Sequence, residues 1–365
     1  MTDKRLYMDV HVIQTLPPSN INRDDTGSPK TAQYGGVRRA RVSSQAWKRA
    51  MREYFNRNGQ EFKVGVRTKD IVSYVADKVM RKAPDLSRDV AIEGAEQAIN
   101  NAGITTKDHM AKALFFLGDQ QAEQLAEAVI EGKNTKENKV ELQKILESNP
   151  EIDIALFGRM VADAPELNTD ASCQVAHAIS THAVQTEFDY FTAMDDLSAE
   201  DQSGAGMLGN IEYNSSTLYR YANVAVHDFE RQLQDLKAAS DACQLFVKAF
   251  SNSLPTGKVN TFANQTLPSF VMVTLREDRP VNLVSAFEQP VHAAQESGYV
   301  DASIGKLAAE YGKTEKFVEA PVANFYLKTA DQSVAQELGQ ECNSLPDLLQ
   351  HVGQEITRYF EKAGD

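Results

Sequence analysis

The chain has 365 residues and a formal net charge of −13 at pH 7, with 42% hydrophobic and 24% charged residues. This composition excludes a disordered or fibrous chain and allows one large domain or two ordinary ones around a full core. Because no stretch approaches the ~18 apolar residues of a membrane span and the N-terminus has no apolar secretion signal, we expect a cytoplasmic protein without a membrane partner.

The first predicted element is a strand. Apolar residues alternate along residues 6–13, and the turn-prone sequence TLPPSN follows them. A period of two is typical of a strand, and proline and asparagine are typical of the turn that ends it. We therefore expect the chain to begin in a sheet.

A basic segment comes next. Between Thr26 and Arg52 the acidic chain has no acidic residue and seven basic ones: Lys30, Arg38, Arg39, Arg41, Lys48, Arg49 and Arg52. Because clustered like charges repel one another, a partner with several negative charges is the natural reason to keep them, and a phosphate backbone is the obvious candidate. The pair Gly35 and Gly36 would also let the main chain approach a ligand closely.

Within this segment the sequence SSQAWKRAMREYF predicts an amphipathic helix, with Ser43 or Ser44 as its N-cap. A core-facing stripe recurs at helical spacing: Trp47, Ala50, Met51, Tyr54 and Phe55. The opposite side would carry an exposed basic strip without acidic partners: Gln45, Lys48, Arg49 and Arg52. A solvated helix face is the common explanation of such a strip, but the missing acids favour a binding surface.

The long middle region is predicted to be helical. Residues 67–148 contain five helix-like stretches, broken by proline or glycine: IVSYVADKVM, DVAIEGAEQAIN, AKALFFL, QQAEQLAEAVIEG and KENKVELQKILES. Strands are predicted again at TLYRYANVAV and SFVMVTL, with a helix over residues 228–252 between them. This order predicts an α+β fold interrupted by an inserted helical lobe.

A second charge anomaly lies between Val161 and Tyr219. This stretch has no Lys or Arg and ten acids: Asp163, Glu166, Asp170, Glu187, Asp189, Asp195, Asp196, Glu200, Asp201 and Glu212. A basic region and an acidic one on the same chain favour a head-to-tail contact between copies, here with the acids of one copy near residues 38–41 of the next. The alternative is that the acids merely face solvent.

Several segments resemble a known family. The residues from INRDD through YGGVRRARVSSQAWKRAMR are similar to the N-terminal signature of the CasC family, the backbone subunit of the type I-E CRISPR Cascade complex. Further similar segments follow in the same order: DIALFGRM, CQVAHAISTHAV, DYFTAMDDL, YRYANV and VNLVSAFEQPV. The resemblance spans most of the chain.

The resemblance implies a fold and a function. The fold would be an RRM-like (ferredoxin-like) palm of residues 1–60 and 185–365, with inserted helical fingers at 61–184 and a thumb hairpin at about 188–216. The protein would polymerise along a CRISPR guide RNA, contact other Cascade subunits, and present the guide bases to target DNA. It would have no enzymatic activity, no cofactor and no metal.

The resemblance also implies which residues contact the guide. The sequence has no RNP motif of an ordinary RRM, so the basic helix and nearby loops would hold the RNA. By position, the guide-binding residues would be Arg23, Lys30, Arg41, Ser43, Gln45, Lys48, Arg49, Arg52 and Lys258. A wedge that pushes a base out of the stack would be Met160, Phe191 and Thr192. For Met160 and Phe191 the alternative is ordinary core packing.

Two other function classes are open. A metal-dependent ribonuclease would use Asp24 and Asp25, although Asp24 equally suits a turn. A scaffold that binds only protein would use the basic strip for an acidic partner. Cys173 and His177 would share a helix face as half a metal site or as core residues, and the three widely spaced cysteines argue against a disulfide framework or a zinc knuckle.

Overall fold

A large sheet forms the main body of the fold. The computed structural model describes residues 4–59, 62, 64–193, 207–293, 298–329 and 338–362. In these residues the strands are β1 (Tyr7–Ser19), β2 (Thr31–Tyr34), β3 (Val37–Val42), β4 (Val66–Thr68), β5 (Thr106–Lys107), β6 (Met110–Ala111), β7 (Phe115–Leu117), β8 (Cys173–Val175), β9 (Ala178–Ser180), β10 (Glu187–Ala193), β11 (Met207–Ala225), β12 (Phe270–Arg276), β13 (Ala323–Lys328) and β14 (Gln340–Glu341).

The large sheet has the strand order β14, β13, β12, β1, β11, β9, β3, β2, and β8 and β10 also pair with β11. All of its pairs are antiparallel except β13 with β14. At its centre Val10 lies opposite Ala222 of β11 and Val273 of β12. Strands distant in sequence therefore pair with β1 on both of its edges.

The helices divide between this sheet and a second body. In chain order they are α1 (Ser44–Asn58), α2 (Ile71–Lys82), α3 (Arg88–Asn101), α4 (Asp119–Ile130), α5 (Lys139–Glu147), α6 (Ile152–Phe157), α7 (Val226–Leu233), α8 (Leu236–Asn252), α9 (Val259–Phe262), α10 (Val300–Thr314) and α11 (Leu345–Glu361). None of the helices in the described ranges is both long and apolar enough to cross a membrane.

Both faces of the central strands are covered. Val10 and its alternate neighbours pack with α1, α8 and α11 in one core, whereas Ile13 packs with α10 and the 3-10 turn at Leu283–Phe287 in another. A third core joins helices α2 to α5. Near it lie two small two-stranded sheets, β4 with β7 and β5 with β6. The predicted α+β class is confirmed.

The structure corrects three predicted elements. The stretch AKALFFL is not helical, because Phe115–Leu117 forms β7 against β4, and so short an apolar run cannot distinguish helix from strand. The helix predicted over residues 228–252 is two helices, since Gln234 adopts a left-handed φ of 54° and Asp235 caps α8. The first strand continues through the predicted turn to Ser19, with a register shift after Leu16.

Candidate nucleic-acid interface

Helix α1 is anchored by its apolar face. The Ser43 hydroxyl accepts a hydrogen bond from the Ala46 amide at 3.3 Å, which confirms one of the two predicted caps. Trp47, Met51 and Phe55 are buried, and a buried side chain of this size contributes about 1.5–3 kcal/mol. The opposite face of the helix is therefore held toward solvent.

A groove of about 840 Å³ runs along one side of that outer face. It is lined by the loop from Ile21 to Gly27, by Gln45 and Arg49 of α1, and by the loop from Pro255 to Lys258. The two loops meet closely, because a Cβ atom at Gly257 would lie 2.4 Å from the Ile21 carbonyl oxygen. This contact brings Arg23 and Lys258 to the same groove, although 235 positions separate them in the sequence.

The first groove also contains Asp24, which is a turn residue. Its Oδ1 atom accepts hydrogen bonds from the Thr26 amide at 2.9 Å, the Thr26 hydroxyl at 2.7 Å and the Ser28 amide at 3.0 Å. The Thr26 hydroxyl bond is the main reason that the pKa of Asp24 is lowered. Within the described ranges, neither Asp24 nor Asp25 belongs to a cluster of three ligand side chains that could hold a metal ion.

A second groove, of about 610 Å³, follows the other side of α1. It is lined on one side by four residues of α1, namely Gln45, Lys48, Arg49 and Arg52. The other side is formed by Arg67, Leu114, Phe116, residues 157–160 and residues 168–171. Because Gln45 and Arg49 line both grooves, the outer face of α1 is a ridge between them. We call Gln45, Lys48, Arg49 and Arg52 the basic ridge.

The ridge differs from the predicted strip in two ways. Lys48 and Arg52 are half-buried, because their stems pack beside aromatic rings: Lys48 Nζ lies 5.6 Å from the Phe157 centroid and Arg52 Cζ lies 5.4 Å from that of Phe116. Arg49 is exposed, but it has an acidic partner, which the strip was predicted to lack. Its Nε atom lies 2.9 Å from Glu53 Oε1. An exposed pair of this kind is weak and leaves Arg49 available for another anion.

The predicted guide-binding residues Lys30 and Arg41 lie outside both grooves, beside His177. Arg41 donates from Nε to the Thr31 carbonyl oxygen at 3.1 Å, and its Nη1 lies 3.0 Å from His177 Nδ1. Burial, followed by the charges of Arg41 and Lys30, lowers the pKa of His177. The neutral imidazole therefore adds no charge to this cationic corner.

One member of the basic segment is a structural residue. The Arg39 side chain is fully buried and donates hydrogen bonds to the Ser180 carbonyl at 3.0 Å and the Phe287 carbonyl at 2.7 Å. It joins β3 to the turn beyond β12. Arg39 is thus unavailable to a partner chain. In the predicted contact between copies at residues 38–41, only the exposed Arg38 and the half-buried Arg41 could take part.

The predicted wedge residues lie in two places. Met160 is 87% exposed in the second groove, so core packing is wrong for it. Phe191 and Thr192 lie on the hairpin of β10 and β11 and line neither groove. Phe191 is 36% exposed, and it sits opposite Gly209, where a Cβ atom would come within 2.4 Å of its ring. The hairpin also exposes Phe188 and Tyr190, which the sequence reasoning missed.

Comparison with known proteins decides the family. The family model described as "CT1975-like protein" matches residues 8–351. This chain belongs to that family. A solved structure described as "CRISPR RNA-guided surveillance complex, pre-nicking" contains a chain with 32% identity and a TM-score of 0.84, and the match covers 96% of this chain and 100% of that one.

A second solved chain agrees with the first. It comes from a structure described as "CRISPR RNA-guided surveillance complex", with 29% identity, a TM-score of 0.74, and coverage of 95% of this chain and 99% of that one. A search of curated proteins finds no match. These findings support the CRISPR-associated family that the sequence resemblance indicated, while the narrower CasC and type I-E assignments stay predictions.

In this CT1975-like protein a buried carboxylate lies beneath the basic ridge. Burial raises the pKa of Asp153 from 3.8 to about 7, and the nearby Arg52 charge acts against that rise. Oδ1 accepts a hydrogen bond from the Gly65 amide at 2.9 Å, while Oδ2 has no partner among the described residues. Above about pH 7, Asp153 therefore carries a negative charge under the ridge at the expense of folded-state stability.

We expect Asp153→Asn to stabilise the fold at high pH. The pKa of Asp153 is higher in the folded state than its ordinary value of 3.8, so the folded state binds this proton more tightly than the unfolded state does. The resulting stability is fully present below about pH 4 and is lost as the pH rises through about 7. Asparagine keeps the Gly65 bond and removes this loss, so its Tm should exceed that of the wild type by about 2–4 °C at pH 8. At pH 5 the difference should fall to about 40% of its value at pH 8, because only part of the loss between pH 3.8 and pH 7 has then occurred. Equal Tm differences at both pH values, measured by circular dichroism, would contradict the assignment.

One residue of the second groove was not predicted from the sequence, and one predicted pair of residues is wrong. Arg67 is exposed at β4 and lines the second groove together with Arg49 and Arg52 of α1, but it lies outside the basic segment and β4 is held in place by its long-range pairing with β7. The pairing of Cys173 and His177 on a helix is wrong, because Cys173 is buried in β8 and His177 is exposed after it. Alternation in CQVAHAIS was the available signal for strands at this point.

Proposed function

We propose that this protein is the guide-RNA-binding backbone subunit of a CRISPR RNA-guided surveillance complex, of the CasC kind in a type I-E system, and that it works in the cytoplasm by binding alone. The observation that carries the proposal is the basic ridge, which lies between two grooves on a chain that matches a surveillance-complex chain over 96% of its length. Cationic side chains on a ridge can contact successive phosphates without reading base sequence.

The order of the sheet supports an RRM-like palm. The elements β1, α1, β9, β11, α8 and β12 follow one another in the βαββαβ order of the ferredoxin-like motif. Their strands are neighbours in the order β12, β1, β11, β9, and α1 contacts α8 in the core on one face of this sheet. In our proposal the guide binds to the helix side of the palm, because α1 carries the ridge.

The remaining parts would be the fingers and the thumb. The body of α2 to α5 has a core of its own, which supports an inserted lobe within residues 61–184. Residues 173–180 of that interval pair with β11 in the large sheet, so we place the end of the lobe before β8. The hairpin of β10 and β11 would be the thumb. Its tip, with Asp195, Asp196, Glu200 and Asp201, lies outside the described residues.

Binding without catalysis is the simpler chemistry for the first groove. A two-metal nuclease needs carboxylates that converge on cations about 4 Å apart. Asp24 instead uses one carboxylate oxygen to hold its own turn. We propose that this turn presents Arg23 to the guide and that target DNA reaches the complex through pairing with the guide bases.

Assembly would follow the charge distribution. Glu187 and Asp189 are exposed on the thumb hairpin, and Arg38 is exposed at the far end of the large sheet. A contact between two different surfaces of identical chains propagates as an open filament unless its rotation closes a ring. We propose that copies associate head to tail in this way along one guide, next to other subunits of the complex.

The function is tested by co-expression with a guide transcript. The purified protein should retain RNA, visible in the ratio of absorbance at 260 and 280 nm, and single-stranded RNA should displace a labelled guide where polyglutamate does not. Mg²⁺ or Mn²⁺ should produce no strand cleavage. If the protein purifies without RNA and polyglutamate displaces the labelled guide, a protein-binding scaffold is favoured. If metal ions cause cleavage and Asp24→Asn abolishes it, a nuclease is favoured.

Met160 offers a separate test of the wedge. We expect Met160→Ala to leave the Tm within about 1 °C, because an 87% exposed side chain adds little to the core. A guide with 2-aminopurine at the displaced base should lose fluorescence in this variant, since the base returns to the stack. Val140→Ala, which removes an exposed side chain outside both grooves, should change neither reading. Bright fluorescence in Met160→Ala would reject the wedge role.

A further inference from the structure

Three metal-ligating side chains of different chemistry converge where the last helix begins. A sulfur from Cys342, a carboxylate oxygen from Asp347 and a ring nitrogen from His351 all lie within 4.8 Å of one another. Among the residues that the structure describes, no other trio of His, Cys, Asp or Glu meets this condition. Thiolate, imidazole and carboxylate are together a donor set typical of Zn²⁺.

The distance between the imidazole and the carboxylate fits a tetrahedral cation. With metal–ligand distances of about 2.0–2.2 Å for nitrogen and oxygen, two ligands of a tetrahedron lie about 3.4 Å apart. His351 Nε2 and Asp347 Oδ1 are 3.4 Å apart. Gln340 Nε2 lies 3.0 Å from the same His351 nitrogen, and a half turn of its amide would bring an oxygen to that position as a fourth ligand.

The ligands are held by neighbouring elements. Asp347 and His351 are four residues apart on one face of α11, and Cys342 is fixed by its amide, which donates to the Tyr326 carbonyl of β13 at 2.7 Å. The His351 ring stacks on Phe325 with centroids 5.4 Å apart. Phe325 and Tyr326 both belong to β13, so the cluster joins this strand to the first turns of α11.

Helix capping explains only part of this arrangement. The Asn343 amide donates to Asp347 Oδ2 at 2.9 Å, and the Ser344 hydroxyl accepts from the Asp347 amide at 3.2 Å. This cap uses Oδ2 and leaves Oδ1 facing His351. It requires neither a cysteine nor a histidine. By contrast, Cys173 and Cys243 are buried without forming such a group of three ligands within the described ranges.

We propose that Cys342, Asp347 and His351, with the Gln340 amide oxygen, form a structural site for a divalent cation of the Zn²⁺ type. The cation ties the edge strand β14 to α11, whose Leu348, Val352 and Ile356 side chains pack in the core against the large sheet. Thiolate and carboxylate together balance the two positive charges. This inference does not depend on the proposed RNA function.

The test uses the full chain, stripped of nucleic acid and of metal with a chelator. After addition of ZnCl₂ and dialysis, one zinc per chain should remain, and hundredfold excess over the dissociation constant should raise the Tm by about 3 °C. Addition of CoCl₂ should give the charge-transfer band of a thiolate-bound Co²⁺ ion. Cys342→Ser and His351→Gln should each abolish the band and the Tm rise.

Two further variants keep the result decisive. Asp347→Asn retains the shape of the side chain and should weaken zinc binding at least tenfold while the apo protein stays folded. Cys243→Ala removes a buried thiol elsewhere and should leave zinc stoichiometry and the cobalt band unchanged. Zinc below one-tenth equivalent in the folded wild type, or a cobalt band that persists in Cys342→Ser, would overturn the site.

Discussion

The double variant Arg49→Glu and Arg67→Glu is expected to weaken binding of single-stranded RNA about a hundredfold at moderate salt, which corresponds to about 2.7 kcal/mol. Both guanidinium groups are exposed and face the second groove, and Arg49 also borders the first. Each reversal removes a phosphate contact and adds a repulsive charge. The slope of log K against log salt should fall by about 1.4, since each lost contact on a single strand contributes about 0.7.

The choice of these two residues follows from burial. Arg52 is half-buried beside the acidic Asp153, so a glutamate at position 52 would destabilise the fold as well as repel RNA. Arg49 and Arg67 avoid this ambiguity, and the Tm of their double variant should stay within about 1 °C of the wild type. Fluorescence anisotropy with a labelled RNA measures the affinity.

A matched control has the same change in net charge outside both grooves. Arg57→Glu with Arg279→Glu reverses two exposed guanidinium groups that line neither groove, and it should weaken binding less than threefold. If both double variants lose affinity equally, a general field effect explains the loss and the basic ridge is not the binding surface. Arg49→Gln with Arg67→Gln should give an intermediate loss, because it removes contacts without adding repulsion.

The second large effect concerns the anchor of α1. We expect Trp47→Ala to lower the free energy of unfolding by about 4–5 kcal/mol, near the upper end for an aromatic core residue. The indole is fully buried, and the Arg220 guanidinium lies 3.7 Å from its centroid. Burial lowers the pKa of Arg220 to about 9, so loss of the indole face deprives a poorly solvated cation of one of its supports.

Urea denaturation followed by circular dichroism measures this loss, with Trp47→Phe as the control. Phenylalanine keeps an aromatic face for Arg220 and should cost about half as much. RNA affinity of the folded fraction should also fall in Trp47→Ala, because the ridge is on the same helix. A loss below 2 kcal/mol for Trp47→Ala would mean that Arg220 is held by its hydrogen bonds to Gln14 and the Phe250 carbonyl rather than by the indole.

The helix with its two faces was predictable because its information is local. A period of 3.6 residues in Trp47, Met51 and Phe55 requires no knowledge of the rest of the chain, and Ser43 is a strong N-cap residue by its own chemistry. The strands around Val10 and Val273 were predictable for the same reason. The α+β class follows from the order of such local patterns.

Short apolar runs were less informative. AKALFFL and CQVAHAIS are compatible with both helix and strand, and their partner strands, β4 and β11, decided the outcome. The break at Gln234 was also hidden, since a left-handed residue that is not glycine has a weak sequence signal. In each case a contact distant in sequence selected one of two locally acceptable conformations.

The sequence by itself determined that a cationic surface exists on this acidic chain and that one helix presents it. Only the tertiary structure decided its members. It buried Arg39 under the carbonyl groups of Ser180 and Phe287, placed Asp153 beneath Arg52, and brought Arg67 and Lys258 to the grooves. Charge can be counted along a chain, but the exposure of a charge depends on segments that pack against it from more than a hundred residues away, as Ser180 and Phe287 pack against Arg39.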